Sequence, residues 1–254
     1  MTRRTAAVVA AALALTLPMG AASAVEARPE TGTAQPLAGR VVVIDPGHQL
    51  GNHNFPRQIN RLVPADGFRK ACNTTGTATN GGYPEATFAW QVARRLRDRL
   101  VDLGAQVVLT RTSNRQDRWG PCVDTRGRAG NRVDADLKIS IHGDGSHASG
   151  ARGFHVIAPT DRRRWTHDIF RPSRELARTV RRALRGAGFP AANYIAGGDG
   201  LDFRSDLGTL NLSDVPTVMV ELGNMRNRRE ARRMTSAAGQ ADYADGLTGL
   251  CGAT

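Results

Sequence analysis

A chain of 254 residues fits one domain of ordinary to large size, able to bury a full core without staples. Its net charge of +12 sits almost wholly on Arg, since Lys70 and Lys138 are the only lysines; it implies attraction to polyanions or a solvated basic surface. Beyond the N-terminus no segment is apolar enough to cross a membrane, and no cysteine pair has the spacing of a cysteine zinc module, so both of those classes are excluded.

In chain order, Arg3 and Arg4, the apolar run from Ala6 to Leu17 broken only by Thr16, and the small residues Ala22-Ser23-Ala24 read as a secretory signal over 1–24. The alternative is an uncleaved anchor. Loss of Arg3 and Arg4, with no acid in the same stretch, leaves +10 on a mature chain starting near Val25. For an exported chain the expected polyanion is a cell envelope, not a nucleic acid. Residues 25–38, polar and small with Pro29 and Pro36, read as a linker, and 39–254 as one domain. Export permits disulfides. Cys72 and Cys122 both lie in loops rich in Gly, Asn, Thr and Pro, so they form the favoured bridge, with Cys251 left over.

From there strands and helices alternate. A strand at 40–45 leads into a long loop over 46–83, a length that usually serves function. A helix over 84–103 follows, with Pro84 suited to its first position, Phe88, Val92, Leu96, Leu100 and Leu103 at helical spacing, and Gly104 as its stop. Next come a strand at 106–110, a loop with a short helix over 111–135, strands at 137–142 and 152–158, and a helix over 168–187. A weak strand near 192–196, a strand at 216–221 and a final helix over 227–249 close the chain. Such alternation argues for an α/β single domain: a twisted, mostly parallel sheet with helices on both faces.

Three of these strands end in residues with metal chemistry. Val41-Val42-Val43-Ile44 runs into Asp45-Pro46-Gly47-His48, Ser140-Ile141 into His142, and Val218-Met219-Val220 into Glu221. Strand ends of an open α/β sheet converge on one crevice. With Glu85 at a helix start the set is two His and two Glu, enough for two imidazoles and a carboxylate on a metal with one carboxylate left as a base. Each has a blander reading. His48 could be incidental to a polar turn, Glu85 favoured merely by the helix dipole, and Glu221 an ion-pair partner of one of the many Arg. Burial at a strand end would raise the basicity of Glu221, which suits a general base. His155, inside a strand, and His167, near a helix start, read as structural; His53 and His147 lie in loops flanking the candidate site.

Taken together, Val42-Val43-Ile44-Asp45-Pro46-Gly47-His48, Glu85, Thr110-Arg111, Arg128-Ala129-Gly130-Asn131, Ala135-Asp136-Leu137, Ser140-Ile141-His142 and Val215 to Asn224 resemble the zinc-dependent N-acetylmuramoyl-L-alanine amidases of the amidase-3 family, in the family's order over about 40 to 240. Gly76 to Asn80, Tyr83-Pro84-Glu85 and Asn211 to Pro216 resemble its secreted, single-domain mycobacterial and actinobacterial members. The resemblance implies one Zn2+ per chain on His48, Glu85 and His142, with Glu221 as the catalytic carboxylate. It also implies peptidoglycan or muropeptide as substrate, cut between N-acetylmuramic acid and L-alanine. A monomer secreted to the periplasm or cell wall is expected, with an Arg from 111–128 or Arg204 holding a substrate carboxylate. Gly143-Asp144-Gly145, Asn224 and Met225 depart from the family pattern and are expected on the substrate-facing rim. Two other classes stay open: a silent envelope-binding module, and a metallopeptidase acting within the stem, for which no His-Glu-x-x-His helix is present.

Overall fold

The computed structural model describes residues 35–250. The expected signal, most of the linker and Cys251 lie outside them. Six strands form the main sheet: β1 (Val41–Pro46), β4 (Gln106–Leu109), β5 (Leu137–Asp144), β6 (His155–Pro159), β7 (Leu201–Arg204) and β8 (Thr217–Asn224). Their order is β4-β1-β5-β8-β6-β7; the β6–β8 pair is antiparallel and the others are parallel. The expected mixed, mostly parallel α/β sheet is what forms. A separate hairpin, β2 (Leu62–Pro64) with β3 (Arg69–Ala71), lies within the stretch expected to be loop, beside the short helix α1 (Pro56–Asn60).

β1, β5 and β8 are buried on both faces, β1 and β8 as short apolar runs and β5 with Lys138 and Ser140 alternating with Leu137, Ile139 and Ile141. One face carries Val42, Ile44, Ile139, Ile141, Val218 and Val220 against the three long helices α2 (Glu85–Asp102), α4 (His167–Gly186) and α7 (Ala237–Thr248). The α2 stripe Phe88, Val92, Leu96 and Leu100 is wholly buried there. Gly104, at φ 96°, takes the left-handed backbone that ends α2. The other face carries Ile157 and Met219 under the short helix α5 (Gly208–Asn211), on which α3 (Val123–Gly127) packs, and Val43 against Ala135 and Val215. Lys138 is buried on β5, and its ammonium donates to the carbonyls of Arg126, Gly127 and Thr209, tying both short helices to the sheet.

Three expectations are corrected. The weak strand lies at 201–204, not 192–196, just before which a single bridge joins Phe154 and Ala191. The final helix is two, α6 (Arg228–Thr235) and α7, because Ser236 breaks the run and accepts the Gly239 N–H to start a new helix. The 46–83 stretch holds a helix and a hairpin, and the expected Cys72–Cys122 disulfide ties it to the loop before α3.

Candidate metal and catalytic site

At the carboxyl edge of the sheet, β1 ends in a turn whose geometry is set by buried arginines. Arg111 donates to the carbonyls of Pro46, Gly47 and Ala86, so one guanidinium spans the β1 turn and the first turn of α2. Arg126 donates to the carbonyls of Pro46 and His48 and pairs with Asp45 at 2.6 Å. Burial alone would push the Asp45 carboxyl up. Arg126, with hydrogen bonds from Ser140 and Thr110, outweighs burial and holds it below the usual carboxylate range. The turn places His48 at φ 55°, a left-handed conformation rare for a side chain that costs energy and is kept where structure over-determines it.

His48 Nδ1 lies 3.1 Å from the Thr74 carbonyl, so Nε2 is the nitrogen that faces Glu85. His48 Nε2 is 3.1 Å from Glu85 Oε1, and His142 Nδ1 is 2.8 Å from the same oxygen. Ligand atoms of all three residues lie within 4.8 Å of one another. Glu85 Oε2 accepts the Thr77 N–H at 2.8 Å, which fixes the carboxylate plane. Burial pushes this carboxyl up, but the charge on His48 and hydrogen bonds from both imidazoles reverse it, so Glu85 stays ionised. Its place at the first residue of α2 adds the favourable end of the helix dipole. The site is packed to the limit of backbone approach. A β-carbon on Gly47 would lie 2.4 to 2.7 Å from the His142 ring, and one on Gly76 would lie 2.7 Å from Glu85 Oε2.

Glu221 is the register partner of His142 on β8, and both line one cleft of about 300 Å³ with His48, Glu85, Asp144 and Arg204. Just beyond this pair β8 carries an extra residue, since His142 pairs with Glu221 but Asp144 with Asn224; such bulges re-aim side chains beside sites. Glu221 Oε2 is buried and has no hydrogen-bond partner among the described residues. Burial raises its carboxyl well above the usual range, Glu85 and Asp144 add to this, and Arg204 opposes it.

All four residues singled out in the sequence therefore meet at one edge. Others change role. Arg111 and Arg126 are buried and hold the β1 turn, so of the arginines expected to meet substrate only Arg204 lines the cleft. Asn224 and Met225 are buried, not on the rim: Asn224 donates to the Ser146 and Ala151 carbonyls and pins the loop after β5. His53 and His147 are exposed and do not line the cleft. Asp144 was expected at the rim and does line it, accepting from the Tyr194 hydroxyl at 2.7 Å. The Thr74 and Thr77 backbone contacts could not be read from side-chain types at all.

The sequence model of the amidase-3 family, described as N-acetylmuramoyl-L-alanine amidase, matches residues 42–249. The chain belongs to this family. It is 44% identical over 220 residues to the N-acetylmuramoyl-L-alanine amidase Rv3717 of Mycobacterium tuberculosis, covering 85% of this chain and 87% of that one. Among solved structures it resembles the apo N-acetylmuramyl-L-alanine amidase Ami1 of Mycobacterium abscessus, with a TM-score of 0.77 at 41% identity over 84% of this chain and 97% of that one. It also resembles Ami1 of Mycobacterium smegmatis, with a TM-score of 0.78 at 37% identity over 86% and 99%. As an amidase-3 enzyme the chain is a peptidoglycan hydrolase with N-acetylmuramoyl-L-alanine amidase activity.

Proposed function

We propose that this amidase works through one zinc ion held by His48, Glu85 and His142, with Glu221 as general base and then general acid. The donor chemistry fits: two imidazoles and one carboxylate are a catalytic zinc set, and the outer nitrogen of His48 is already committed to a carbonyl, as metal-binding imidazoles require. When bound, the ion supplies a Lewis acid that lowers the pKa of a water toward about 7 and polarises the scissile carbonyl.

The rest is done by the chain. Glu85 stays ionised beside the two imidazoles, so it offers an anionic ligand without having to shed a proton. Glu221, buried and unpartnered, accepts a proton from the attacking water and delivers it to the leaving L-alanine nitrogen. Its raised proton affinity suits both halves of that cycle. Arg204, on the same cleft and half shared with Asp206, is placed to meet a carboxylate of the stem peptide. The chain is exported with 1–24 as its signal and 39–254 as the catalytic domain, acts as a monomer on the wall or its fragments, and has no nucleic-acid partner.

The observation that carries this reading is the clustering of three ligand atoms within 4.8 Å beside a buried, unpartnered carboxylate. Zinc per chain and release of stem peptide from purified peptidoglycan test it. Glu221→Gln should keep zinc and lose activity, while His142→Ala should lose both; full activity in the first or unchanged zinc in the second sinks the scheme. Mass spectrometry of the products separates it from a stem peptidase, since an amidase frees L-alanine amino termini.

A further inference from the structure

Glu221 has a second flank. On β5 its register partner is His142, and on β6 it is His155, so His142, Glu221 and His155 form a row across three adjacent strands. Side chains at paired positions share a face and lie within about 4.5–5.5 Å at their β-carbons. His155 is buried, at 3% exposure, although imidazoles rarely occupy a strand interior without a partner. Its Nδ1 is nonetheless unpartnered among the described residues, and so is Glu221 Oε2. Two buried polar atoms of complementary type thus stand unsatisfied on neighbouring strands at the catalytic carboxylate.

The ring of His155 is also held. Tyr194 packs edge-on against it with centroids 6.3 Å apart, and the Tyr194 hydroxyl is anchored on Asp144. Burial keeps His155 neutral, with Asp144 and Asp202 favouring its charge and Arg204 opposing it. A neutral imidazole carries one N–H, which is what an orphaned carboxylate oxygen lacks.

We propose that His155 is the positioning residue for Glu221: its imidazole N–H engages Oε2 when substrate closes the cleft, and so aims the other carboxylate oxygen at the attacking water. Catalytic hydrogen bonds of this kind are often open in the free enzyme and tighten only in the Michaelis complex. The inference rests on the assignment of Glu221 as base. No proton leaves His155 in this role; it donates a hydrogen bond and nothing more.

The test uses zinc-loaded protein and a muropeptide of defined composition. His155→Leu, which keeps the bulk and removes the N–H, should lower kcat by about 10- to 100-fold, the usual cost of losing an outer orienting partner, with KM and zinc content unchanged. His155→Asn, whose amide sits near the former Nδ1, should recover most of that loss. A packing role gives the reverse order, with Leu tolerated and Asn harmful, and overturns the proposal. Should His155→Leu fail to fold, 15N-histidine NMR takes its place. The His155 Nδ1 resonance should move on adding stem-peptide product to the wild-type chain but not to Glu221→Gln, and a resonance indifferent to product in both overturns the role. Full activity in Glu221→Gln defeats the base assignment beneath it, whereas an inactive Glu221→Gln with a fully active His155→Leu defeats His155 alone.

Discussion

A β-carbon on Gly47 would sit within 2.4 to 2.7 Å of three atoms of the His142 ring, so the glycine is what lets a strand end and an imidazole share one place. Gly47→Ala should push His142 off the cluster and weaken zinc binding by about 10- to 100-fold, measured by competition with a chromophoric chelator. Gly81→Ala, whose added carbon meets only Thr79 Oγ1 at 3.9 Å, should leave affinity unchanged. The second residue-scale effect concerns Glu221. Its carboxyl is raised above the ordinary 4.5, first by burial and then by Glu85 and Asp144. A raised folded-state value means that its contribution is fully present below pH 4.5 and is lost as pH climbs through the folded value. In zinc-free protein Glu221→Gln, which cannot ionise, should therefore raise the melting temperature at pH 8 and leave it unchanged at pH 4. An equal gain at both would show that the carboxylate bears no desolvation strain.

Between residues and fold, the elements are positioned by buried arginines. Arg126 and Asp45 side chains are 3% and 1% exposed, and Arg126 also satisfies the Pro46 and His48 carbonyls. Removing one partner leaves a buried, uncompensated charge, so Arg126→Ala should cost about 3–5 kcal/mol in urea unfolding. Because the Asp45 value is depressed, the stability it adds is present above pH 3.8 and is lost as pH falls below it. The variant should therefore lose less on acidification than the parent does. Legibility in the sequence follows the same division. Strands β1 and β8 are readable because burial on both faces leaves an apolar run, β5 because Leu137, Ile139 and Ile141 alternate with Lys138 and Ser140, and α2 because Phe88 to Leu100 keep one helical stripe. β7 was misplaced because Leu201–Arg204 mixes charge with apolar residues at a sheet edge, while the Gly197, Gly198 and Gly200 turns before it displace the pairing from 192–196. His48, Glu85, His142 and Glu221 could be found because strand ends converge. Arg111 and Arg126 could not, since nothing in a run of arginines says which guanidinium will be buried under a turn.

Across the molecule, the division between what folds the chain and what does chemistry is sharp. The large apolar core joins α2, α4 and α7 to one face of the sheet, and His48, Glu85, His142 and Glu221 line a cleft at its carboxyl edge. A disulfide pins the outlying hairpin region, where Val63, Cys72 and Cys122 form a small apolar cluster of their own. The ligands sit at the sheet edge, held by the His48 ring's contact with the Thr74 carbonyl, by the Thr77 N–H donated to Glu85 and by the arginine-braced turn. A site built in this way is made by the fold and does not make it, unlike metal modules that unfold on chelation. Zinc should still stabilise by mass action, since it binds the native state: free zinc at a thousand times its dissociation constant adds about 4 kcal/mol. For a domain of this size each kcal/mol moves the melting temperature by about 2–4 °C, so stripping zinc should lower it by about 8–16 °C. At 25 °C the stripped chain should keep its far-UV circular dichroism, lose amidase activity, and regain it with one equivalent of zinc per chain. Loss of the dichroism on chelation would mean that the metal organises the sheet edge and that the site makes the fold.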